Sequence, residues 1–300
     1  MNLPGFLMDS LKSQTSINNN FLGHWFLTKE NENISCLQED SLLENLFFKK
    51  SLIHELSFKS LTEFYASKSI LDIIKLAPTI EEYDFLNTLL IDETHHSYLF
   101  RSYLQQNSFL TLDDPVNEMA VVLNYAHLDV VQPFQNLVQK WVVEKKNFYA
   151  GIIIITIILE GVLAPTAELS ERKWLPFYPN AAKVQNYANL DEIRHLTVCA
   201  EILKRQIDKK PKIVQQLKEC IQEGLQLWEI SNMHEIILNR EELYQQGMQQ
   251  NLAQIEDFYL VDGIFLKDTV PEQRIEITNS LVEKMQKSRL QYIGIQLDTE

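Results

Sequence analysis

The pattern Glu-x-x-His occurs twice among the 300 residues, as Glu93-Thr94-His95-His96 and Glu192-Ile193-Arg194-His195. On a helix, positions i and i+3 share a face, so each pair aims a carboxylate and an imidazole at one point. An aspartate precedes each motif, Asp92 and Asp191. A further glutamate lies a matched distance ahead of each: Glu63 is 30 residues before Glu93, and Glu160 is 32 before Glu192. Four carboxylates and two imidazoles, with no thiolate among them, suit iron or manganese better than zinc. Four-helix carboxylate proteins hold two metals with this donor set, one Glu-x-x-His from each of two helices and one glutamate from each of the others. A ligating histidine gives its second N–H to a carboxylate, and Asp92 and Asp191 are placed to serve the histidine of the opposite motif. Glu55 lies two helical turns before Glu63 and is the alternative first-helix ligand.

Such a site needs four long helices, and the sequence supplies them. From Ser41 apolar residues recur every three to four positions, with no glycine or proline before Pro78. Pro78-Thr79 and the acids Glu81 and Glu82 mark a fresh helix start, and that helix runs to about Gln106. Asp113-Asp114-Pro115 opens another, and Pro133 interrupts it. The segment that follows, to about Leu163, contains GIIIITIILEG. This run is charge-free from Asn147 to Leu159 and closes on Glu160. Its length and the absence of flanking turn residues predict a buried helix, too short in its apolar part to span a bilayer. A carboxylate at its end fits a metal ligand, since an unpaired buried charge is costly. Pro165, Pro176 and Pro179 bracket a connection, a fourth helix spans about 180–207, and further helices fill 212–300 with breaks near Gly247, Gly263 and Pro271.

Residues 1–40, rich in Asn and Ser, read as irregular, and 41–300 as one helical domain. Its metal core falls in 45–205 and its extra helices in 212–300. Few glycines and prolines, 8 and 9, argue against an all-β architecture. A net charge of −14 argues against nucleic acid or an anionic membrane as partner. Three widely spaced cysteines, Cys36, Cys199 and Cys220, give no disulfide framework and fit a reducing, cytoplasmic location. The N-terminus carries no signal-peptide pattern.

The segments DETHH, ILEG and DEIRH, in this order, resemble the ferritin-like di-iron oxidases over residues 45–205, closest in type to the p-aminobenzoate N-oxygenase-like enzymes. The resemblance implies an all-α, ferritin-like four-helix bundle core with additional helices. It implies two Fe ions (or Mn/Fe) at Glu63, Glu93, His96, Glu160, Glu192 and His195, and O2 as cosubstrate. The reaction it implies is oxidation of a small organic molecule, N-oxygenation of an amine above all, with C–H hydroxylation or desaturation as the alternative. Iron storage and a metal-free helical interaction protein are the readings from other classes. Electrons would come from an external reductase or ferredoxin, since there is no G-x-G-x-x-G nucleotide fingerprint, and a homodimer is common in the superfamily. The radical-forming tyrosine of the ribonucleotide reductase subunit corresponds to Phe100 here. The threonine of the multicomponent monooxygenases corresponds to Ala164, and the additional histidine of the p-aminobenzoate type to Ala188. Small residues near the ligands (Ala66, Ser67, Ala164, Ala167, Ala188) leave room for O2 and a substrate. The remaining histidines, His24, His54, His95, His127 and His234, read as packing, surface or supporting residues. Arg194 has Asp92, Glu168 or solvent as possible partners.

Overall fold

A computed structural model describes residues 36–39, 44–111, 113–230 and 233–297. The expected irregular segment, with His24, therefore lies almost wholly outside the described residues. Four long helical elements form the frame: α1 (Leu46–Ile74), α2 (Ile80–Gln106), α6 (Glu160–Trp174) with the turns leading into it, and α7 (Pro179–Lys209). α1 pairs with α2 and α6 with α7, and α2 packs on α7 to close the bundle. Loops of a few residues make consecutive partners antiparallel.

Local chemistry fixes the starts of three frame helices, the first at Leu46 rather than at Ser41, where the apolar spacing begins. Asn45 caps α1, its side chain accepting from Phe47 N and Phe48 N at 3.0 Å. Thr79 caps α2 by accepting from Glu82 N, and its hydroxyl donates to the Glu82 carboxylate at 2.9 Å. α7 begins with Pro179, and its first free N–H groups, Asn180 and Ala181, point at the Glu39 carboxylate at 3.3 and 3.0 Å. Tyr103 of α2 donates to the same carboxylate at 2.9 Å. The stretch 36–39 thus ties two helices of the frame together.

The middle of the chain departs from expectation in two places. Pro133 lies inside α4 (His127–Val138), which follows the short α3 (Pro115–Val122) and passes into a π-helical turn, Gln139–Glu144. The break comes later, at Lys146, whose φ is +53°. Pro165 does not begin a connection either, since α6 runs through it to Trp174. The greasy run is split into α5 (Phe148–Ile153) and a π-helical segment, Ile154–Leu159, that delivers Glu160 as the first residue of α6. A π turn leaves carbonyls unpaired within the helix. Those of Ile157 and Ile158 accept instead from Gln286 Nε2 at 3.1 Å and Trp228 Nε1 at 2.6 Å. From Phe148 to Trp174 the helical stretch is 27 residues, long and apolar enough to cross a membrane, which the apolar run alone is not; here 76% of its most apolar window is buried inside the protein.

The later helices wrap this frame: α8 (Val214–Ile230), α9 (Met233–Gln249) and α10 (Pro271–Ile293). α8 lies on the π segment, α9 on α1, and α10 on α6 and α7. Between α9 and α10 a small antiparallel hairpin, β1 (Tyr259–Val261) and β2 (Ile264–Phe265), turns at Gly263. α10 stops at Gly294, whose left-handed φ of +78° lets Ile295 N return to Leu290 O, and Ile295 is buried against the body.

Candidate metal centre

Each helix of the frame contributes from its middle. Glu63 comes from α1, Glu93 and His96 from α2, Glu160 from the π–α junction, and Glu192 and His195 from α7. The six fall into two overlapping groups whose donor atoms lie within 4.8 Å of one another: Glu63, Glu93, His96 and Glu192, then Glu93, Glu160, Glu192 and His195. Glu93 and Glu192 belong to both groups, so two cations placed there would share both carboxylates. Both histidines are fully buried.

The histidines show what the cluster is arranged to face. His96 Nε2 lies 3.1 Å from Asp191 Oδ2, and His195 Nε2 lies 3.1 Å from Asp92 Oδ2. Each motif's aspartate therefore serves the other motif's imidazole. Arg194 bridges the two aspartates, donating to Asp191 Oδ1 at 2.9 Å and to Asp92. With Nε2 committed outward, both Nδ1 atoms turn inward. His195 Nδ1 is 3.1 Å from Glu93 Oε1, 3.5 Å from Glu160 Oε1 and 3.8 Å from Glu192 Oε2. His96 Nδ1 is 3.6 Å from Glu93 Oε2 and 3.7 Å from Glu192 Oε1. Neither Nδ1 has hydrogen-bond geometry to any of these oxygens. Glu93 Oε1, Glu160 Oε2 and Glu192 Oε2 are likewise buried without a hydrogen-bond partner among the described residues. Donor atoms that crowd together without bonding to one another are aimed at a shared point between them. That is the geometry a pair of cations needs.

Without cations the cluster must hold protons. Burial, then repulsion from Glu192, pushes the Glu160 carboxyl up to about 8. Burial and the Glu93 charge raise Glu63 well above the carboxylate range. Burial alone would lower His96, but its hydrogen bond to Asp191 and the nearby Glu93 charge outweigh it and hold the imidazole up at about 10. The folded chain thus keeps protons at Glu160 and His96 that the unfolded chain releases near 4.5 and 6.5. The stability they contribute is complete below those unfolded values and is lost as pH rises through 8 and 10. Asp92, Asp191 and Glu93 are depressed, so their opposite contribution is complete by about pH 5. Metal-stripped protein is therefore expected to melt at progressively lower temperature from about pH 6.5 to about pH 8. A thermal series in chelator that rose across this window would contradict the assignment of these protons.

Glu55 is placed elsewhere. It is fully buried on α1 beside Lys173, Lys59 and Arg240 at 3.1, 3.6 and 3.6 Å, and it accepts from Trp174 Nε1 at 3.1 Å. Burial opposes its charge, but these cations hold the carboxyl far below the usual range. Glu63, not Glu55, is the α1 carboxylate in the cluster. His127 is buried beside Tyr65, and His95 stacks on the exposed Tyr98, so neither joins the ligand atoms. Of the three partners the sequence left open for Arg194, the structure shows Asp92. The arginine's second bond to Asp191, three residues back on the same helix, follows from the same i, i+3 rule that selected the ligands.

Two cavities meet the cluster. The larger, ≈ 80 Å³, lies between α1, α4 and the π segment and ends on Glu63, Glu93, Glu160 and Glu192. Its other walls are mainly apolar, among them Ile70, Ile73, Val131, Phe134 and Ile155. The smaller, ≈ 50 Å³, lies on the α9 side and shares Phe58, Thr62, Glu63, Leu163 and Glu192 with the first. Of the small residues expected to leave room, Ala66 lines the larger cavity and Ala167 and Ala188 the smaller. Ser67 instead bonds back to Phe64 O at 2.8 Å, and the side chain of Ala164 lies outside the described residues. The apolar walls contributed by α4 were not foreseen, because nothing in HLDVVQPFQNLV separates a cavity wall from ordinary core.

No protein-family profile and no curated protein matches the chain. Solved structures match its fold along nearly its whole length. A mutant R2-like ligand-binding oxidase with an anaerobically reconstituted Mn/Fe cofactor has a TM-score of 0.67 at 14% identity and covers 96% of this chain and 98% of its own. A second mutant R2-like ligand-binding oxidase, with aerobically reconstituted Mn/Fe, has a TM-score of 0.66 at 15% identity. A third, with aerobically reconstituted Fe/Fe, has a TM-score of 0.64 at 14% identity. Each of these two covers 96% of this chain and 99% of its own. The fold is accordingly all-α and ferritin-like, a four-helix core with additional helices, shared with oxidases that carry Fe/Fe or Mn/Fe cofactors.

Proposed function

We propose that the protein is an O2-dependent oxidase whose two metal ions, Fe/Fe or Mn/Fe, are held by Glu63, Glu93, His96, Glu160, Glu192 and His195. The observation that carries this is the pair of inward-turned imidazole Nδ1 atoms, each with Nε2 fixed by an aspartate and each facing carboxylates to which it makes no hydrogen bond. Bound there, a redox-active pair supplies the electrons for O2 chemistry that no side chain in the cluster can supply. The chain's own part is to position and to exclude. Asp92 and Asp191 hold the Nε2 protons outward and so leave the Nδ1 lone pairs free. Their bonds to the imidazoles, with Arg194 between them, keep both aspartates charged. The apolar walls of the larger cavity keep bulk water from the carboxylate edge and give a small organic substrate a place beside it.

The finer reading is N-oxygenation of a small amine, which rests on the motif resemblance to the p-aminobenzoate type; C–H hydroxylation is its competitor. Electrons from an external donor, a cytoplasmic location and a single helical domain over 41–300 complete the proposal. The test is elemental analysis of protein produced with iron, followed by O2 uptake of the reduced protein with a panel of amines and hydrocarbons. About two irons per chain and amine-dependent O2 uptake support the reading. Folded protein without bound metal overturns it.

Asp92→Asn can present its amide N–H to His195 Nε2, which then must carry its proton on Nδ1, where the metal would bind. We expect metal affinity to fall about 10- to 100-fold, with the loss confined to the Glu160/His195 subsite. Unchanged cobalt affinity at both subsites would remove the role given to Asp92.

A further inference from the structure

The smaller cavity has a cationic wall that the metal centre does not explain. Four cationic side chains, Lys59, Lys173, Arg240 and Arg274, converge on two buried carboxylates, Glu55 and Glu241. Glu241 is saturated: Lys173 approaches to 2.5 Å and Arg274 to 2.6 Å. Glu55 is also taken up, by Ser170, by Trp174 at 3.1 Å and by Lys173 at 3.1 Å. Lys59 and Arg240 are left at 3.6 Å, beyond hydrogen-bond length. Arg240 Nε is buried and has no hydrogen-bond partner among the described residues, while the one hydrogen bond of Lys59 Nζ goes to the neutral Gln185. Burial, with the Arg240 and Lys173 charges beside it, pushes the Lys59 ammonium down to about 8, more than Glu55 and Glu63 together offset. Buried charge persists where something completes it.

Lys59 and Arg240 both line the ≈ 50 Å³ cavity, whose far wall is Glu63 and Glu192. A space of this size holds about three or four water-sized groups, which is a carboxylate and the carbon that bears it. The deficit at the wall is of hydrogen-bond acceptors with single negative charge, and the flanking walls, Phe58, Phe100 and Ile237, are apolar.

We propose that the smaller cavity is an anion subsite in which Lys59 and Arg240 hold the carboxylate of a small organic acid. Its organic part then lies along Phe58 and Leu163, the walls shared with the larger cavity, at the Glu63–Glu192 edge. Naming the acid as the substrate rests on the oxidase reading; the subsite itself does not.

The test is calorimetric binding of matched pairs, benzoate against benzamide and hexanoate against hexanamide, to the full chain at neutral pH. Elemental analysis is done on the same samples. The acid is expected to bind at least tenfold more tightly than its amide. Lys59→Met and Arg240→Gln are each expected to erase most of that ratio while leaving amide binding unchanged, and Arg240→Lys to restore part of it. Circular dichroism confirms that the variants fold; the wild-type ratio decides the matter even if one does not. Equal binding of acid and amide, or a ratio that survives both substitutions, overturns the subsite. Bound metal with no acid preference leaves the oxidase reading standing without this inference. Acid preference in a protein that binds no metal keeps the subsite and removes the oxidase.

Discussion

Replacing Glu192 with glutamine is expected to weaken metal binding by more than about 100-fold, beyond the cost of losing a supporting partner, and at the same time to raise the melting temperature of the metal-free protein. The two effects have one origin. Glu192 belongs to both subsites, so its loss removes a ligand from each. In the absence of cations it is a liability: burial and the neighbouring Glu93 charge raise its carboxyl above the usual range. Glutamine fills the same space without the charge, so the packing is kept and the repulsion is removed. For a chain of this size each kcal/mol of relief moves the midpoint by roughly 2 °C. Melting curves of the stripped wild type and variant, beside a competitive metal titration, read both signs. A glutamine variant that binds metal like the wild type would remove Glu192 from the ligand set. One that is destabilised without metal would mean that the carboxylate has a structural partner outside the cluster.

The opposed signs also separate this cluster from the other buried carboxylates. Glu55 and Glu241 are as deeply buried, yet their carboxyls are depressed because cations surround them. Removing either takes from Arg240 or Arg274 the carboxylate it faces and leaves Lys173 with one instead of two, so stripped protein should lose stability there, where Glu192→Gln gains it.

The helices that carry the cluster were legible because its residues follow a rigid spacing: i, i+3 on two helices and a glutamate at matched offsets on the other two. The same spacing marked Asp92 and Asp191, since an aspartate directly before each glutamate lies on the flank that faces the neighbouring helix. Prolines misled where tertiary contacts override local preference. Pro133 and Pro165 both read as breaks, yet each lies inside a helix. The π segment before Glu160 was invisible for a related reason. IITIIL has the composition of any buried helix, and its extra residue per turn is held by side chains from 70 and 129 residues away, Trp228 and Gln286. The cationic wall of the smaller cavity joins Lys59 of α1 to Arg240 of α9, which no local pattern connects.

That long-range clasp makes Gly224 the backbone position with the greatest leverage on the site. Gly224 lies on α8, one turn before Trp228, where α8 crosses the π segment. A Cβ built there would sit 2.2 Å from Ile158 Cδ1, 2.8 Å from Cγ1 and 2.9 Å from Cγ2. Because Cγ1 and Cγ2 both branch from Cβ, no single rotation of Ile158 clears the clash, and α8 must move away. Trp228 moves with it, and the 2.6 Å bond from its indole to Ile158 O is the first contact to stretch. Trp228 also packs on Phe134, and both line the larger cavity, so the displacement reaches the wall beside Glu160. Gly224→Val is expected to cost on the order of 3 kcal/mol, the upper end for overpacking a dense core, and to lower metal occupancy at the Glu160/His195 subsite before the Glu63/His96 one. Ile158→Ala alone should cost about 2–4 kcal/mol through the cavity it leaves. The double variant roughly exchanges the two volumes, so it should be less destabilised than the sum of the singles by more than about 1 kcal/mol. Urea melts of the four proteins measure that coupling. Additive losses would mean that α8 does not rest on Ile158, and that the π segment keeps its shape without the later helices.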